Sequence, residues 1–209
     1  MNRHEQFLAT TLPAGFYWFN EPANYRLDHG LEIFTDDKTD FWQNTHYGFR
    51  YDNGHCCLVK TQGDFSFRTR VSFQYEALYD QCGLMVRADA ENWIKVSVEQ
   101  EEGQNNRLGS VVTNLGYSDW ATQDIPSSQQ EMWYQVRRRG SDFLIESSFD
   151  GRTWRQMRIA HLHQIPDELK IGLYACSPIS GGFRCHFRFV DMAENDWYYE
   201  ANPSEIDIK

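Results

Sequence analysis

The 209-residue chain has no apolar run long enough to span a membrane or to form the core of an export signal. Its first thirteen residues, Met-Asn-Arg-His-Glu-Gln-Phe-Leu-Ala-Thr-Thr-Leu-Pro, stay largely polar. A cytoplasmic location with no membrane partner is the expectation. Basic charge is scarce: 20 Lys and Arg stand against 30 Asp and Glu, a net charge of −10. Phosphate backbones and anionic lipid surfaces call for a basic face, so nucleic acid is excluded as the main partner. Cysteine is sparse too. The five residues Cys56, Cys57, Cys82, Cys176 and Cys185 are odd in number and follow no zinc spacing. Reduced thiols and no metal are expected. There is no Gly-rich phosphate loop, no Gly-x-Ser-x-Gly elbow and no paired Cys-x-x-Cys, so no cofactor is implied.

A sustained helical period is also missing, as are internal repeats and low-complexity linkers. Short apolar or alternating runs recur instead, broken by Gly, Asn and Asp turns. Phe65, Phe67, Thr69, Val71, Phe73 and Tyr75 alternate with Ser66, Arg68, Arg70, Ser72 and Gln74, a period of two that belongs to a half-buried strand. Many such strands predict an all-β, two-sheet antiparallel sandwich. A chain of this length forms it as a single domain over residues 1–209, with its core at about 15–190 and a short polar, frayed tail.

The densest chemistry lies between Asp36 and His55, where Asp40, Trp42, His46, Tyr47, Asp52 and His55 fall within about two strand lengths. Asn53-Gly54 predicts a type I′ hairpin turn. The stretch is therefore either an aromatic edge strand or one wall of a polar binding site with Trp42 or Tyr47 as a stacking platform. Its acids Asp36, Asp37 and Asp40 lack the regular spacing of a calcium loop and read as a solvated turn. His46 and His55, on the two arms of the expected hairpin, have no third ligand to complete a metal site.

A second hairpin, Gln81–Arg87 with Trp93–Gln100, has a readable register. Setting Cys82, Leu84 and Val86 opposite Val98, Val96 and Ile94 gathers six apolar side chains on one face. The other face then pairs Gln81 with Glu99, Met85 with Lys95, and Arg87 with Trp93. A one-residue slip would mix the two sets. Beyond it, Asn114 to Trp120 reads as a loop that carries Asp119 beside Trp120. Ser148-Phe149-Asp150-Gly151-Arg152-Thr153-Trp154 is one residue short of the aspartate box of sialidase propellers and occurs once; it reads as a structural hairpin with Trp154 packed beneath. Glu194, Asp196 and Glu200 lack the alternate spacing that brings two carboxyls to ~5 Å in retaining glucanases.

Several strings carry a resemblance as a set: Phe16-Tyr17-Trp18, Thr39-Asp40-Phe41-Trp42, Thr45-His46-Tyr47-Gly48-Phe49, Asp52-Asn53-Gly54-His55, Tyr79 to Arg87, Asn92-Trp93-Ile94-Lys95 and Ser118-Asp119-Trp120. From Gly15 to Val190 the chain resembles the regulation-of-enolase-like family of domains of unknown function, in the concanavalin A-like lectin/glucanase superfamily. Cys82 stands where a small residue such as Ala is expected. The resemblance implies a jelly-roll sandwich and a link to carbohydrates, and transfers no catalytic residues.

Two functional expectations follow. One is a non-catalytic carbohydrate-binding or metabolic-regulatory protein with a site on the concave sheet face. Trp42, Tyr47, Trp93 and Trp120 would stack on sugar faces, and Asp40, His46, Asp80, Gln81, Lys95, Glu99 and Asp119 would bond hydroxyls. The partner is then a sugar-like small molecule, or a protein in metabolic regulation. The alternative is a glycoside hydrolase or lyase that uses two acids among Asp80, Glu99 and Asp119.

Overall fold

In the computed structural model, which describes residues 2–197, the chain forms seventeen strands and, among those residues, no helix. In chain order they are β1 (Arg3–Glu5), β2 (Phe16–Phe19), β3 (Asn24–Leu27), β4 (Leu31–Phe34), β5 (Phe41–Gln43), β6 (Arg50–Asp52), β7 (His55–Thr61) and β8 (Phe65–Gln74). They continue as β9 (Gln81–Arg87), β10 (Trp93–Glu99), β11 (Asn105–Asn114), β12 (Tyr117–Pro126), β13 (Glu131–Arg139), β14 (Asp142–Ser148), β15 (Arg155–His161), β16 (Leu169–Cys176) and β17 (Arg184–Ala193). Glu200 and the tail end expected to fray lie outside the described residues.

The front sheet has the order β12-β11-β10-β9-β16-β7-β2, and the back sheet β15-β14-β13-β8-β17-β4-β3, with β1 also paired to β17. All strand pairs are antiparallel. This is the two-sheet sandwich that the strand pattern predicts. Phe67, Val71, Tyr134 and Val136 of the back sheet meet Leu84, Val96, Ile171 and Leu173 of the front sheet in one buried cluster. Full burial of each such side chain contributes about 1.5–3 kcal/mol.

The β9–β10 register is the expected one. Cys82, Leu84 and Val86 oppose Val98, Val96 and Ile94, while Gln81, Met85 and Arg87 oppose Glu99, Lys95 and Trp93. The six apolar residues all belong to the core between the sheets. The polar set therefore projects from the outer face of the front sheet.

Three local readings change. Asn53-Gly54 is not a type I′ turn, since neither residue has positive φ. It links β6, in a small hairpin with β5, to β7, in the front sheet. Both its amides donate to Asp40 O at 3.1 Å. Gly54 is required by close approach: a Cβ there would sit 2.3 Å from the Phe41 ring. Asn114 to Trp120 is not a loop. Leu115 and Gly116, with φ of 50° and 79°, make a two-residue turn, and Tyr117 starts the ten-residue β12. Trp154 is half-buried and precedes β15. The ring lying against the Asp150-Gly151 turn is that of Trp133, 2.7 Å from where a Gly151 Cβ would be.

All five cysteines are free and buried. Cys57, Cys82 and Cys185 lie between the sheets, and Cys56 and Cys176 on the other side of the front sheet. Burial pushes the Cys57 thiol up to about 12 and holds Cys56, Cys82 and Cys176 well above the ordinary thiol range. Thiolate is the reactive form. The native protein is therefore expected to be almost inert to a thiol reagent, and the denatured protein, freshly unfolded without reductant, to give five thiols per chain. Recovery of three or fewer from the denatured chain would mean that disulfides form.

Candidate functional site

The outer face of the front sheet carries its own apolar layer. Trp93, Met85, Val111, Tyr174, Cys56 and Leu58 are buried there beneath Phe41 of β5. The Phe41 ring meets Trp93 edge-on at 6.1 Å and Tyr174 edge-on at 6.2 Å. The β5–β6 hairpin is thus a flap packed down on one half of the sheet. Arg87 of β9 fastens it with two hydrogen bonds to Asp52, at 2.8 and 2.6 Å. Bidentate Arg–carboxylate pairs of this kind fix geometry as well as adding energy.

The other half of the face stays open, and a cleft of about 520 Å³ lies between it and the flap. Pockets of this size hold small molecules. Its floor is polar. Lys95 Nζ donates to Asp40 Oδ1 at 3.2 Å. Gln81 Nε2 donates to Glu99 Oε2 at 2.7 Å and to Tyr79 O at 3.2 Å, and Gln81 Oε1 accepts from Tyr174 Oη at 3.2 Å. Its walls are aromatic. The loop from Asn44 to Phe49 turns through positive φ at Asn44, His46 and Gly48. That turn brings Tyr47 and Phe49 into a stack, with centroids 5.3 Å apart and planes 11° from parallel. Trp42 meets Tyr47 edge-on, and Tyr51 meets Phe49 likewise. Across the floor stands Trp120 of β12, 37% exposed. Its indole lies over Gly109 of β11, where a Cβ would come within 2.9 Å of Nε1. The missing side chain at Gly109 gives the indole its seat.

The electrostatics follow from burial. Taking Glu99 out of water pushes its carboxyl up to about 8, although Lys95 and the Gln81 hydrogen bond pull the other way. Burial is the largest single influence on Lys95 and works to lower it, but the acidic surroundings, with Asp40 and its hydrogen bond foremost, together outweigh it and the net displacement is upward. Glu99 is therefore largely neutral at pH 7, and Lys95 is charged. The linkage has a definite sign. A carboxyl raised from 4.5 to about 8 binds its proton in the folded chain when the unfolded chain has lost it. That stabilising contribution is complete below about 4.5 and is lost as pH rises through about 8. The difference in unfolding free energy between wild type and Glu99→Gln should therefore move against the wild type across pH 4.5–8 and level off above. Parallel stability curves across that window would mean that Glu99 titrates normally.

Of the residues singled out in the sequence, Asp40, Trp42, Tyr47, Gln81, Lys95, Glu99 and Trp120 line this one cleft. Four others do not. Trp93 is completely buried under the flap, with Nε1 bonded to Ala90 O, so no ligand can stack on it. His46 sits exposed at the loop tip, edge-on to Tyr47 and off the lining. Asp80 is buried and turned to its own backbone: it accepts from the Glu76 and Ala77 amides at 2.8 Å and from Ser177 Oγ at 2.6 Å. Asp119 faces the opposite way from Trp120. It pairs in register with core residue Val112, whereas Trp120 pairs with Val111, and its carboxylate holds Arg158 of the back sheet at 3.0 Å. Asp80 and Asp119 thus cannot act with Glu99 in the cleft.

The sequence reading missed Lys38, Phe49, Tyr51, Tyr79, Glu101, Pro178 and Ile179. Alternation of Tyr47, Phe49 and Tyr51 was a usable signal for two of them. Tyr79 was not readable: it lines the cleft with φ of 68°, a conformation bulky residues rarely adopt. His55, paired above with His46, is buried and fully engaged, its Nδ1 with Asn20 O at 2.8 Å and its Nε2 with the Asp36 amide at 3.0 Å. Among the described residues no three His, Cys, Asp or Glu side chains gather as a metal site requires. Asp196 lies far from this face, bonded to Arg137 of β13 at 2.8 Å.

The family described as "Protein of unknown function (DUF1349)" matches residues 18–195. Regulation of enolase protein 1 of Saccharomyces cerevisiae is 38% identical over 171 residues, which cover 81% of this chain and 85% of that protein. The crystal structure of a functionally unknown protein from Saccharomyces cerevisiae superposes with a TM-score of 0.81 at 35% identity, covering 87% of this chain and 97% of that one. A xylan β-1,4-xylosidase from Bacillus halodurans superposes with a TM-score of 0.73 at 14% identity, over 91% of this chain and 39% of the enzyme. At that identity the likeness is one of fold.

Proposed function

The chain belongs to the family described as protein of unknown function (DUF1349), and from that premise we propose that it is a non-catalytic binding protein that takes a carbohydrate-like ligand in the cleft and acts in metabolic regulation. The observation that carries this reading is the composition of the cleft: a hydrogen-bonded polar floor between the Tyr47–Phe49 stack and the Trp120 indole. A pyranose has apolar C–H faces and a rim of hydroxyls, and needs both kinds of surface. The regulatory part rests on the name of the yeast relative, Regulation of enolase protein 1. It allows for a protein partner as well as the ligand. Buried free thiols and the acidic charge suit a cytoplasmic protein that meets neither nucleic acid nor membrane.

A second reading, a glycoside hydrolase or lyase, draws on Glu99. A carboxyl kept protonated at neutral pH is what a general acid requires. Its partner would be Asp40, since Asp80 and Asp119 face elsewhere. Asp40 is already tied to Lys95 and to the Phe41 amide, at 3.2 and 2.7 Å, which is why binding is preferred over chemistry. A glycan array run beside a hydrolysis screen separates the two, with Glu99→Gln included in both. Binding without turnover, weakened by Glu99→Gln, supports the proposal. Turnover by the wild type that Glu99→Gln abolishes would replace it with the enzyme reading.

A further inference from the structure

The kind of ligand can be narrowed from the hydrogen-bonding atoms that the floor leaves open, given the binding reading above. Lys95 and Asp40 already neutralise each other at 3.2 Å, and only 5% of the Lys95 side chain is exposed. Lys38 and Glu101, also on the lining, are of opposite sign, and no Arg lines the cleft. Arg forks and nests of backbone amides are the usual holders of carboxylates and phosphates. The buried cation of the floor, Lys95, is thus already paired, the exposed Lys38 is matched in charge by Glu101 on the same lining, and the protein as a whole carries −10.

What the floor does offer is alternation. Lys95 has three N–H hydrogens, and one partner among the described residues. Asp40 Oδ2 and Glu99 Oε1 accept no hydrogen bond among those residues, since Asp40 Oδ1 and Glu99 Oε2 take the bonds that are formed. Asp40 reaches Lys95 from just before β5, and Glu99 lies on β10, where Ser97 separates it from Lys95 along the same face. The order across the floor is acceptor, donor, then a carboxyl that accepts when ionised and donates when protonated. A hydroxyl can serve both roles. Two neighbouring hydroxyls match the set, each accepting from Lys95, with one donating to Asp40 and the other bonded to Glu99. A carboxylate or phosphate only accepts, and would face Asp40 with like charge.

We propose that the cleft selects an uncharged sugar through a pair of neighbouring hydroxyls shared among Asp40, Lys95 and Glu99, and discriminates against sugar acids and sugar phosphates. The test is a titration of wild-type protein with the methyl glycosides of glucose, galactose and mannose, each beside its 6-carboxylate and 6-phosphate counterpart, read at the Trp120 indole N–H resonance. At least one neutral glycoside should shift that resonance, and its anionic counterparts should bind at least about tenfold more weakly. Among the 2-, 3- and 4-monodeoxy forms of the glycoside that binds, two adjacent positions should each lose about tenfold or more. An anionic counterpart that binds as tightly as its parent, or monodeoxy forms that all bind like the parent, would overturn the selectivity and leave the binding reading standing. If no neutral glycoside moves the Trp120 signal, the selectivity and the binding reading fail together.

Discussion

Asp40→Ala should lower the stability of the protein by about 3–5 kcal/mol, the usual cost of removing one partner from a buried ion pair. Lys95 enters the floor from β10 and is nearly sealed from water, with Asp40 Oδ1 as its acceptor at 3.2 Å. Without that carboxylate an ammonium is left in a low-dielectric site, which is worse than having no charge at all. Lys95→Met should cost less. The Asp40 side chain is 17% exposed, so it can recover hydration, and it keeps the hydrogen bond from the Phe41 amide. Combining Asp40→Ala with Lys95→Met should recover much of the loss, because the stranded charge has gone. The remaining deficit belongs to the Phe41 amide, which then lacks its 2.7 Å acceptor. Urea unfolding of the two single variants and the double variant, with unchanged m-values, gives the coupling directly. A cost below about 1 kcal/mol for Asp40→Ala would mean that the Lys95 ammonium is hydrated in the folded protein.

Gly83→Ala should be the more damaging change, with a loss of about 4 kcal/mol or more, in the range that single substitutions rarely reach. Gly83 sits in β9 at the centre of the front sheet, opposite Ser97 of β10 and Tyr174 of β16. A Cβ there would lie 1.8 Å from Val96 O and 2.9 Å from its carbonyl carbon. These are backbone atoms, so no side-chain rotation relieves the clash; the ladder itself must open. Gly172 of β16 is in the same position, with a Cβ 2.0 Å from Cys57 O. The useful contrast is Gly103, in a turn at φ 96° with nothing within 4 Å. There the Ala substitution costs only the left-handed backbone strain, about 1 kcal/mol. Comparable thermal midpoints for the Gly83 and Gly103 variants would show that the three central strands are not as tightly joined as described.

What could be read from the sequence divides along physical lines. The β9–β10 register was legible because only one alignment keeps Cys82, Leu84, Val86, Ile94, Val96 and Val98 together, and burial of one face forces it. It carried Gln81, Lys95 and Glu99 to their places on the other face. The orientation of Asp119 and Trp120 was not legible. Their β-turn has Leu115 at its first central position, where Asn or Gly would have signalled it, so the start of β12, Tyr117 to Trp120, looked like the end of a loop. In a strand, neighbours point to opposite faces, and one of the pair had to leave the site. Asn53-Gly54 failed in the converse way: a strong turn signal was used for close packing under Phe41. Asp80 looked like a free acid, yet its carboxylate closes the turn that leads into β9. Trp93 has the residue type of a stacking platform, but the flap over it is a matter of tertiary packing that no local pattern reveals.

Two adjacent residues of one strand decide whether ligand binds on the cleft face of the front sheet. Trp120 points to the cleft, and Asp119 points away to Arg158. The measurement is isothermal titration of the wild type, Trp120→Ala and Asp119→Ala with the glycan that gives the strongest array signal. Trp120→Ala should weaken binding by about tenfold or more, the loss expected for a stacking contact worth one to a few kcal/mol, while Asp119→Ala leaves the affinity unchanged. Loss of binding in Asp119→Ala with full affinity in Trp120→Ala would put the site on the other face of the sheet and rule out the cleft.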